Sequence, residues 1–447
     1  MSVEAPPVID PPEAEPEPTH QKSPGCAHWL WRAVVFPAKF LWGVFFCSQT
    51  ILTSLLVIGW SYRLAQRTAY KHWWKRSNHR AQGGEFTEFA MEDEATAGHA
   101  HSPNWFVQQN FRSLFSAPKD GSWAKHLWSL FKGFTTSFRS NLVLGIQGAL
   151  NTLALTLPSG LMWWFGWDYG WNISFYKGYE QSLIGTGLFL IGSLFFIGVM
   201  FYLPLAQARQ AVTGNWRTFW DVNLVIRIIR SQWVWILLLS GLIGLLSVSV
   251  LILKTAPALL SEALKIESVE QATDFLKKYF FWSAMFVLPS YVTIRILSAK
   301  IYAHGLLYAV QNNNLELDEL APSERAVLER LDLHKSKPPV LKHWFWKIAS
   351  WMGSRIGQFI SAAILFWIWL GLVSAIVVTE FLIYHEAGRG WWNQQLIQLP
   401  WFNYMPTYIQ PIGGEVAGAI FLSILVLAGR YVINFIKETI RHRQLPD

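Results

Sequence analysis

The sequence predicts an all-α polytopic transmembrane helical bundle of about seven spans, with parallel repeated hairpins and interfacial amphipathic helices. Composition is the first indication, because 52% of the residues are hydrophobic, only 15% are charged and 26 are tryptophan. A repeat is the second: FFIGVMFYLP at 195–204 returns as FFWSAMFVLP at 280–289, inside another apolar run. A spanning helix must be apolar whatever its task, so these observations predict architecture rather than chemistry.

Seven stretches are long enough and free enough of charge to cross a hydrocarbon core about 30 Å thick, which takes about 20 helical residues. They run approximately over residues 41–60, 141–164, 182–205, 233–253, 279–297, 356–379 and 416–435. Arg295 and Arg430 fall in the fifth and seventh, where a long side chain is expected to reach the interface. The second to seventh stretches pair in order as three hairpins of the same orientation.

The N-terminal part does not follow the hairpin pattern. Residues 1–27 form an acidic tail rich in Pro and Glu, which is predicted to be disordered and lacks the apolar core of a secretory signal. Residues 28–60 hold the first apolar segment. We interpret this segment as a single span, with the tail outside. The alternative is a re-entrant or interfacial hairpin broken near Pro37, which gives a cytoplasmic tail and one span fewer.

Lysine and arginine indicate the orientation, because positively charged loops stay on the cytoplasmic side. They accumulate in 61–140, 209–230, 295–355 and after Arg430, whereas the alternate loops are acidic or balanced. The predicted order is a basic cytoplasmic loop with an interfacial helix, the duplicated hairpins, a second cytoplasmic loop, a third hairpin and a cytoplasmic C-terminal tail. These regions cover residues 61–140, 141–310, 311–355, 356–436 and 437–447.

An aromatic and basic stretch precedes each hairpin, and the first of these stretches shows helical spacing. Its residues are Trp123, Leu127, Phe131, Phe134 and Phe138 on one face, with Lys125 and Lys132 displaced from it. This pattern predicts a helix that lies in the membrane interface and prefers anionic headgroups. The alternative is a soluble helix packed against the loops. The expected partner is the lipid bilayer and not nucleic acid, because the basic residues lie beside apolar runs.

The block YLPLAQARQAVTGNWRTFWD at 202–221, followed by VIRIIR at 225–230, resembles a prokaryotic family of polytopic membrane proteins, the domain-of-unknown-function 4013 type. The resemblance covers roughly residues 139–310. It implies a multi-pass protein of a prokaryotic inner membrane and lends no catalytic residues. The long loop 61–140 and the added hairpin after Arg355 depart from the family pattern.

Few polar residues interrupt the apolar segments. Gln147 and Asn151 lie one helical turn apart on the second segment, so they share a face that could bind a polar ligand or water. We prefer the alternative, in which both amides hydrogen-bond to a neighbouring helix. Pro204 and Pro289 remove backbone donors near the cytoplasmic ends of their segments, which predicts a helix kink or a helix end rather than a ligand site.

The sequence lacks the residue clusters that catalysis or ion coupling requires. The middles of the apolar segments contain no Asp, Glu, Lys or Arg, which disfavours ion-coupled transport. His99 and His101 have no second cluster at metal-ligand spacing, and Cys26 and Cys47 cannot form a disulfide framework or a cysteine-based metal site. We therefore expect no catalytic, cofactor-binding or metal-binding residues and no enzymatic activity.

Small residues at four-residue spacing indicate close helix packing at the start of the last hairpin. Gly353, Gly357 and Ser361 open its first helix, and Gly414 and Gly418 open its second, which suits packing within the hairpin or self-association. We predict a non-enzymatic membrane scaffold or assembly protein that forms a homo-oligomer or binds another membrane protein. The alternative is a passive channel or carrier for lipid or a small solute, based on the prolines and the two amides.

Overall fold

The computed structural model describes residues 26–49, 51–77, 84, 86–91, 123–166, 182–260, 268–335 and 344–377. By its internal contacts the chain divides into one unit up to Leu41 and a second from Trp42 onwards. All regular elements in these described ranges are helices, which confirms the predicted all-α class. They are α1 Cys26–Gln49, α2 Ile51–Trp74, α3 Phe86–Met91, α4 Trp123–Phe165, α5 Ser182–Thr213, α6 Val222–Ser231, α7 Trp233–Leu260, α8 Val269–Gln311, α9 Pro322–Arg330 and α10 Trp344–Val377, with 3₁₀ turns at Trp216–Trp220 and Leu317–Glu319.

Five of the described helices are long enough and apolar enough to cross a membrane, judged by length and composition. Their apolar stretches are Phe131–Trp163 in α4, Leu183–Thr213 in α5, Trp233–Leu253 in α7, Glu270–Gln311 in α8 and Met352–Ser374 in α10. They coincide with the second to sixth predicted segments, so the chain is a multi-pass membrane protein. The seventh predicted segment, 416–435, lies outside the described residues.

The first apolar segment is not one helix, and the prediction of a single span over 41–60 is wrong. Helix α1 ends at Gln49 and α2 begins at Ile51. The Thr53 hydroxyl donates to the carbonyl of Phe46 over 2.7 Å, whereas a continuous helix would separate these residues by about 10 Å along its axis. The break does not fall near Pro37 either, because Pro37 lies inside α1.

Helix α2 packs against three of the spanning helices, α4, α5 and α8. Its apolar side chains are buried along most of its length, from Leu56 to Trp73. The second half of α2 falls within residues 61–140. The sequence predicts this stretch as a cytoplasmic loop, because polar residues lower its mean hydropathy. Several of these polar side chains, Arg63 among them, are as buried as the apolar ones. The helix therefore belongs to the core of the bundle although it lacks the composition of a span.

Two glycines let α2 and α4 cross with their backbones close to contact. A Cβ atom on Gly59 would lie 1.7 Å from the carbonyl oxygen of Asn141, and one on Gly145 would lie 1.8 Å from the carbonyl oxygen of Leu55. No side chain larger than a hydrogen fits at either position. The sequence pattern does not predict this crossing, because the two glycines are isolated residues in segments far apart along the chain.

The predicted interfacial helix is the beginning of α4. It runs without interruption into the second predicted span, so that α4 has 43 residues and a length of about 65 Å. Within this first part Trp123, Leu127, Trp128, Phe131 and Phe134 are all exposed. The other described elements do not cover this exposed apolar face. Most of the loop against which the soluble-helix alternative would pack it, residues 92–122, lies outside the described residues, so its contact with the membrane stays a prediction.

The two copies of the repeat lie inside long helices, α5 and α8. Both helices continue well past Pro204 and Pro289, so neither proline ends its helix. The Leu residue before each proline is buried, but Pro204 is buried and Pro289 is exposed. A shared Arg-Ser-amide sequence, RSN at 139–141 and RSQ at 230–232, precedes the first two hairpins. It lies in the middle of α4 in the first copy and at the junction of α6 and α7 in the second. The copies therefore share sequence while their surroundings differ.

The predicted close approach on α10 occurs, but with another partner. A Cβ atom on Gly357 would lie 2.7 Å from the ring of Trp233 on α7. Trp369 Nε1 of α10 also donates to Ser240 Oγ of α7 at 2.9 Å. Gly357 therefore packs against the second hairpin, a contact that the sequence analysis did not predict, while packing within the last hairpin and self-association stay predictions. At Gly353 an added Cβ would meet nothing within 4 Å, and residues 414 and 418 lie outside the described part.

Candidate functional site

The two predicted amides of α4 have different environments. Asn151 is buried, and its Nδ2 donates to Gln210 Oε1 at 3.1 Å and to the carbonyl of Trp216 at 2.9 Å. Its Oδ1 accepts from Trp220 Nε1 at 3.2 Å. These bonds fix the first 3₁₀ turn against α4, which favours the structural interpretation of Asn151. Gln147 is half-buried, whereas Asn151 already bonds to three groups of the bundle.

Arg295 is enclosed by side chains of α2, α5 and α8. It is 3% exposed, so the prediction that it extends to the interface is wrong. Its guanidinium carbon lies 5.2 Å from the ring centroid of Tyr62 and 4.9 Å from that of Tyr291, and Nη1 donates to Gln207. Gln207 Nε2 in turn donates to Thr152 Oγ1 at 2.8 Å. Aromatic faces and an amide oxygen stabilise the buried cation.

Arg63 occupies a similar position at the crossing of α2 and α4. It is 1% exposed. Its Nη1 donates to Ser137 Oγ at 3.1 Å and to Asn141 Oδ1 at 2.9 Å. A charged donor makes stronger hydrogen bonds than a neutral one, so Arg63 holds α4 at the point where the predicted interfacial helix becomes the span.

Helix α2 also satisfies carbonyl groups of its neighbours. Gln66 Nε2 and the Tyr70 hydroxyl both donate to the carbonyl of Val212 at 3.2 Å. Val212 lies in the last turn of α5, where carbonyls have no partner within the helix. Trp73 Nε1 donates to the carbonyl of Ala303 on α8 at 2.8 Å. The end of α2 is thereby fixed to two spanning helices at once.

A buried charged cluster joins α5, α8 and α9. Arg209 Nη1 lies 2.6 Å from Asp221 Oδ2, and Arg209 Nε lies 3.7 Å from Glu324 Oε1. The Tyr302 hydroxyl donates to Glu324, and the backbone N–H of Ala321 donates to Glu324 Oε2 at 3.1 Å. Burial raises the pKa of Glu324, against the opposing effect of Arg209. The cluster attaches the short helix α9 to the membrane helices.

A second charged group lies where α2 ends beside α8, and we call it the cationic cluster: His72, Lys75, Arg76, Lys300 and His304. Arg76 Nη1 lies 2.8 Å from His304 Nδ1, and the rings of His72 and His304 are 6.1 Å apart. Burial and the four neighbouring groups lower the pKa of His72 to about 4. His72 is therefore neutral at physiological pH, while both lysines and the arginine carry charge.

The candidate metal-ligating residues were compared with the described part of the chain. In that part no group of three or more His, Cys, Asp or Glu residues is arranged to hold a metal ion. The predicted weak candidates His99 and His101 lie outside the described residues. Cys47 is buried and forms no disulfide.

Sequence reasoning missed three buried arginines, Arg63, Arg209 and Arg295. Charge counting assigned Arg63 and Arg209 to cytoplasmic loops, although both lie inside helices that continue from apolar runs. The signal that could have indicated burial is local, because the small residues Ala206, Ala208 and Ala211 lie close to Arg209 along the chain. Ionisable residues within membrane helices are expected to face the bundle interior, and all three do.

The spanning helices and the bonds between them define an all-α multi-pass membrane protein with a polar, internally hydrogen-bonded core. No protein-family model, curated protein or solved structure significantly matches the chain.

Proposed function

We propose that this chain is a non-enzymatic membrane scaffold or assembly protein. The observation that supports the proposal is the internal pairing of the polar side chains between α4, α5 and α8. Asn151 bonds to Gln210, and Gln207 bonds to Thr152 and accepts from Arg295. A carrier needs such groups to face a ligand path, whereas here they connect helices. The same bonds rigidify the bundle, which suits a protein whose task is to hold other components.

We further propose that the bundle lies in a prokaryotic inner membrane with its C-terminus in the cytoplasm. The distribution of Lys and Arg and the family resemblance of residues 139–310 support this placement. Single cysteines at Ala97, Asn215 and Gln444, introduced into a chain without its two native cysteines, test it. A membrane-impermeant maleimide should label none of the three in intact cells and all three after the cells are opened. Labelling of any one in intact cells overturns the orientation.

Two surfaces support the proposed partners. The exposed aromatic face of α4, with Lys132 and Arg139 beside it, suits the headgroup region of an anionic bilayer. Helix α10 exposes large apolar side chains, of which Phe359 is 77% and Trp367 is 68% exposed. This second face suits a membrane protein partner or a second copy of the chain. Aromatic side chains at its centre would contribute most of the binding energy.

Transport assays on proteoliposomes separate the scaffold from the alternative, a passive channel or carrier for lipid or a small solute. The full chain is reconstituted, and both the release of small fluorescent solutes and the transbilayer movement of labelled lipid are measured. The scaffold proposal predicts rates equal to those of protein-free vesicles. A higher rate that falls in Gln147→Leu, while Gln358→Leu on the exposed helix α10 leaves it unchanged, would refute the scaffold in favour of the carrier.

A further inference from the structure

We propose that the cationic cluster at the junction of α2 and α8 binds the phosphate of an anionic lipid headgroup. The inference rests on the proposed residence of the chain in an anionic bilayer and does not depend on the scaffold role. It assigns lipid recognition to particular side chains of two helices, separate from the exposed face of α4. Its support comes from the geometry of the junction, its charge and its position along α8.

The junction is preformed. Trp73 is fully buried and donates to the carbonyl of Ala303 on α8, so the last turn of α2 is held against α8 directly beside His304. Arg76 reaches across the junction to His304 Nδ1. Because an arginine can only donate, Nδ1 of His304 accepts, and the proton of the neutral imidazole lies on Nε2. An anion at this place would find its donors already assembled.

The charge of the junction is one-sided among the described residues. The groups that lower the pKa of His72, after burial itself, are Arg76, His304, Lys300 and Lys75, and no carboxylate acts in the opposite direction. In addition, His72 Nε2 is buried and makes no hydrogen bond within the described part of the chain. A bound phosphate would relieve the repulsion between the cations and offer acceptor oxygens to several donors together.

The dipole of α2 explains only part of the cationic cluster. Cations at a helix C-terminus are stabilised by the helix dipole, and this accounts for Lys75 and Arg76 at the end of α2. However, the backbone N–H groups of Lys75 and Arg76 already donate to the carbonyls of Lys71 and Trp73. The dipole of α2 also gives no reason for Lys300 and His304 to approach from α8. Convergence of cations from two helices is what a phosphate site requires.

The position favours a lipid over a soluble anion. Lys300 and His304 lie near the C-terminal end of the apolar stretch Glu270–Gln311. Basic residues between spanning helices at such a level meet lipid headgroups. Lys75, Arg76 and Lys300 are exposed, so a headgroup can reach them from outside the bundle while the histidines line the inner side.

The test compares two double variants of equal charge. Lys75→Gln with Lys300→Gln removes two cations of the cluster, and Lys277→Gln with Lys335→Gln removes two exposed cations elsewhere. The purified full chain in neutral detergent is titrated with dioleoylphosphatidylglycerol, with dioleoylphosphatidylcholine as the zwitterionic reference, and bound lipid is counted by native mass spectrometry. At about 1 kcal/mol per cation, or about fivefold in affinity, the first variant should bind the anionic lipid about 30-fold more weakly. The second variant should change the affinity less than threefold.

The proposal is overturned if both double variants lose the same affinity for phosphatidylglycerol, or if Lys75→Gln with Lys300→Gln loses none. Displacement of the lipid by an equal concentration of glycerol phosphate would also overturn it, in favour of a soluble anion. A second measurement needs no variant: bound phosphatidylglycerol should raise the pKa of His72, followed by NMR of labelled histidine, and an unchanged value contradicts the site. None of these readouts involves transport, so failure of the scaffold proposal would be seen separately in the proteoliposome assay.

Discussion

Replacing Gly145 by alanine should destabilise the bundle strongly, because it forces α2 and α4 apart at their crossing. The new Cβ atom would lie 1.8 Å from the carbonyl oxygen of Leu55, and ordinary contact begins at 3.4 Å. The helices must therefore separate locally by about 1.6 Å, a distance at which most dispersion contacts across the interface are lost. Overpacking of this kind typically costs up to about 3 kcal/mol.

The same helix provides the control. At Gly133, also in α4, an added Cβ would meet nothing within 4 Å. Alanine is favoured over glycine inside a helix by about 1 kcal/mol, so Gly133→Ala should be neutral or stabilising. The two variants have identical chemistry and opposite expected signs, which separates the steric effect of the crossing from helix propensity.

The measurement is the midpoint of unfolding of the purified chain in mild detergent, followed by loss of the monodisperse peak on size-exclusion chromatography after heating. Gly59→Ala, which acts at the same crossing, should destabilise to a similar extent. The double variant Gly59→Ala with Gly145→Ala should lose less stability than the two single variants lose together, because the helices need to separate only once. If Gly145→Ala unfolds at the same temperature as Gly133→Ala, the close crossing of α2 and α4 is wrong.

Three further predictions concern the charged groups and the beginning of α4. Glu324→Ala should cost about 3 kcal/mol of stability, because the buried Tyr302 hydroxyl loses its acceptor and Arg209 keeps only Asp221 as a carboxylate partner. Glu329→Ala on the exposed side of α9 should leave the unfolding midpoint unchanged. The chain should lose stability as the pH falls from 6.5 towards 4, because unfolded His72 binds a proton that folded His72 does not. His72→Gln should reduce this acid sensitivity, and an unchanged pH profile contradicts the assignment. A peptide of residues 123–139 should become helical on anionic vesicles, with a blue shift of tryptophan emission that high salt weakens. A peptide that stays unstructured and open to aqueous quenchers would contradict the interfacial interpretation.

The spans were predictable because a membrane-spanning helix can be recognised from its own sequence alone. A run of about 20 apolar residues is sufficient evidence, whatever the rest of the chain does, and α5 and α7 begin where the sequence predicts. The beginning of α4 was also predictable, from aromatic residues at helical spacing. The ends of the helices were harder to predict. The apolar pattern ends where the hydrocarbon core should end, whereas a helix can continue beyond it, as α8 continues to Gln311.

The partners of the polar side chains could not be predicted. Asn151 meets Gln210, Trp216 and Trp220, residues about 60 positions further along the chain, and only the packing of α4 against α5 brings them together. The sequence showed that an amide in an apolar helix needs a partner without showing which one. Arg295 was misassigned for the same reason, because the aromatic rings that surround it come from two helices.

The organisation of the bundle depends most on α2, whose polar residues follow a pattern that is easily read the wrong way. Arg63, Gln66, Tyr70 and Trp73 recur at intervals of three and four, so they form one stripe along the helix.

In a soluble amphipathic helix such a polar stripe would face water. For this reason the sequence predicts the second half of α2 to lie in a solvated cytoplasmic loop. Here the stripe faces inward, and its members bond in turn to α4, α5 and α8. Lipid gives apolar helices no hydrophobic reason to choose one neighbour over another. Directional bonds from α2, together with the glycine crossing, select a single arrangement of helices that would otherwise pack in several ways.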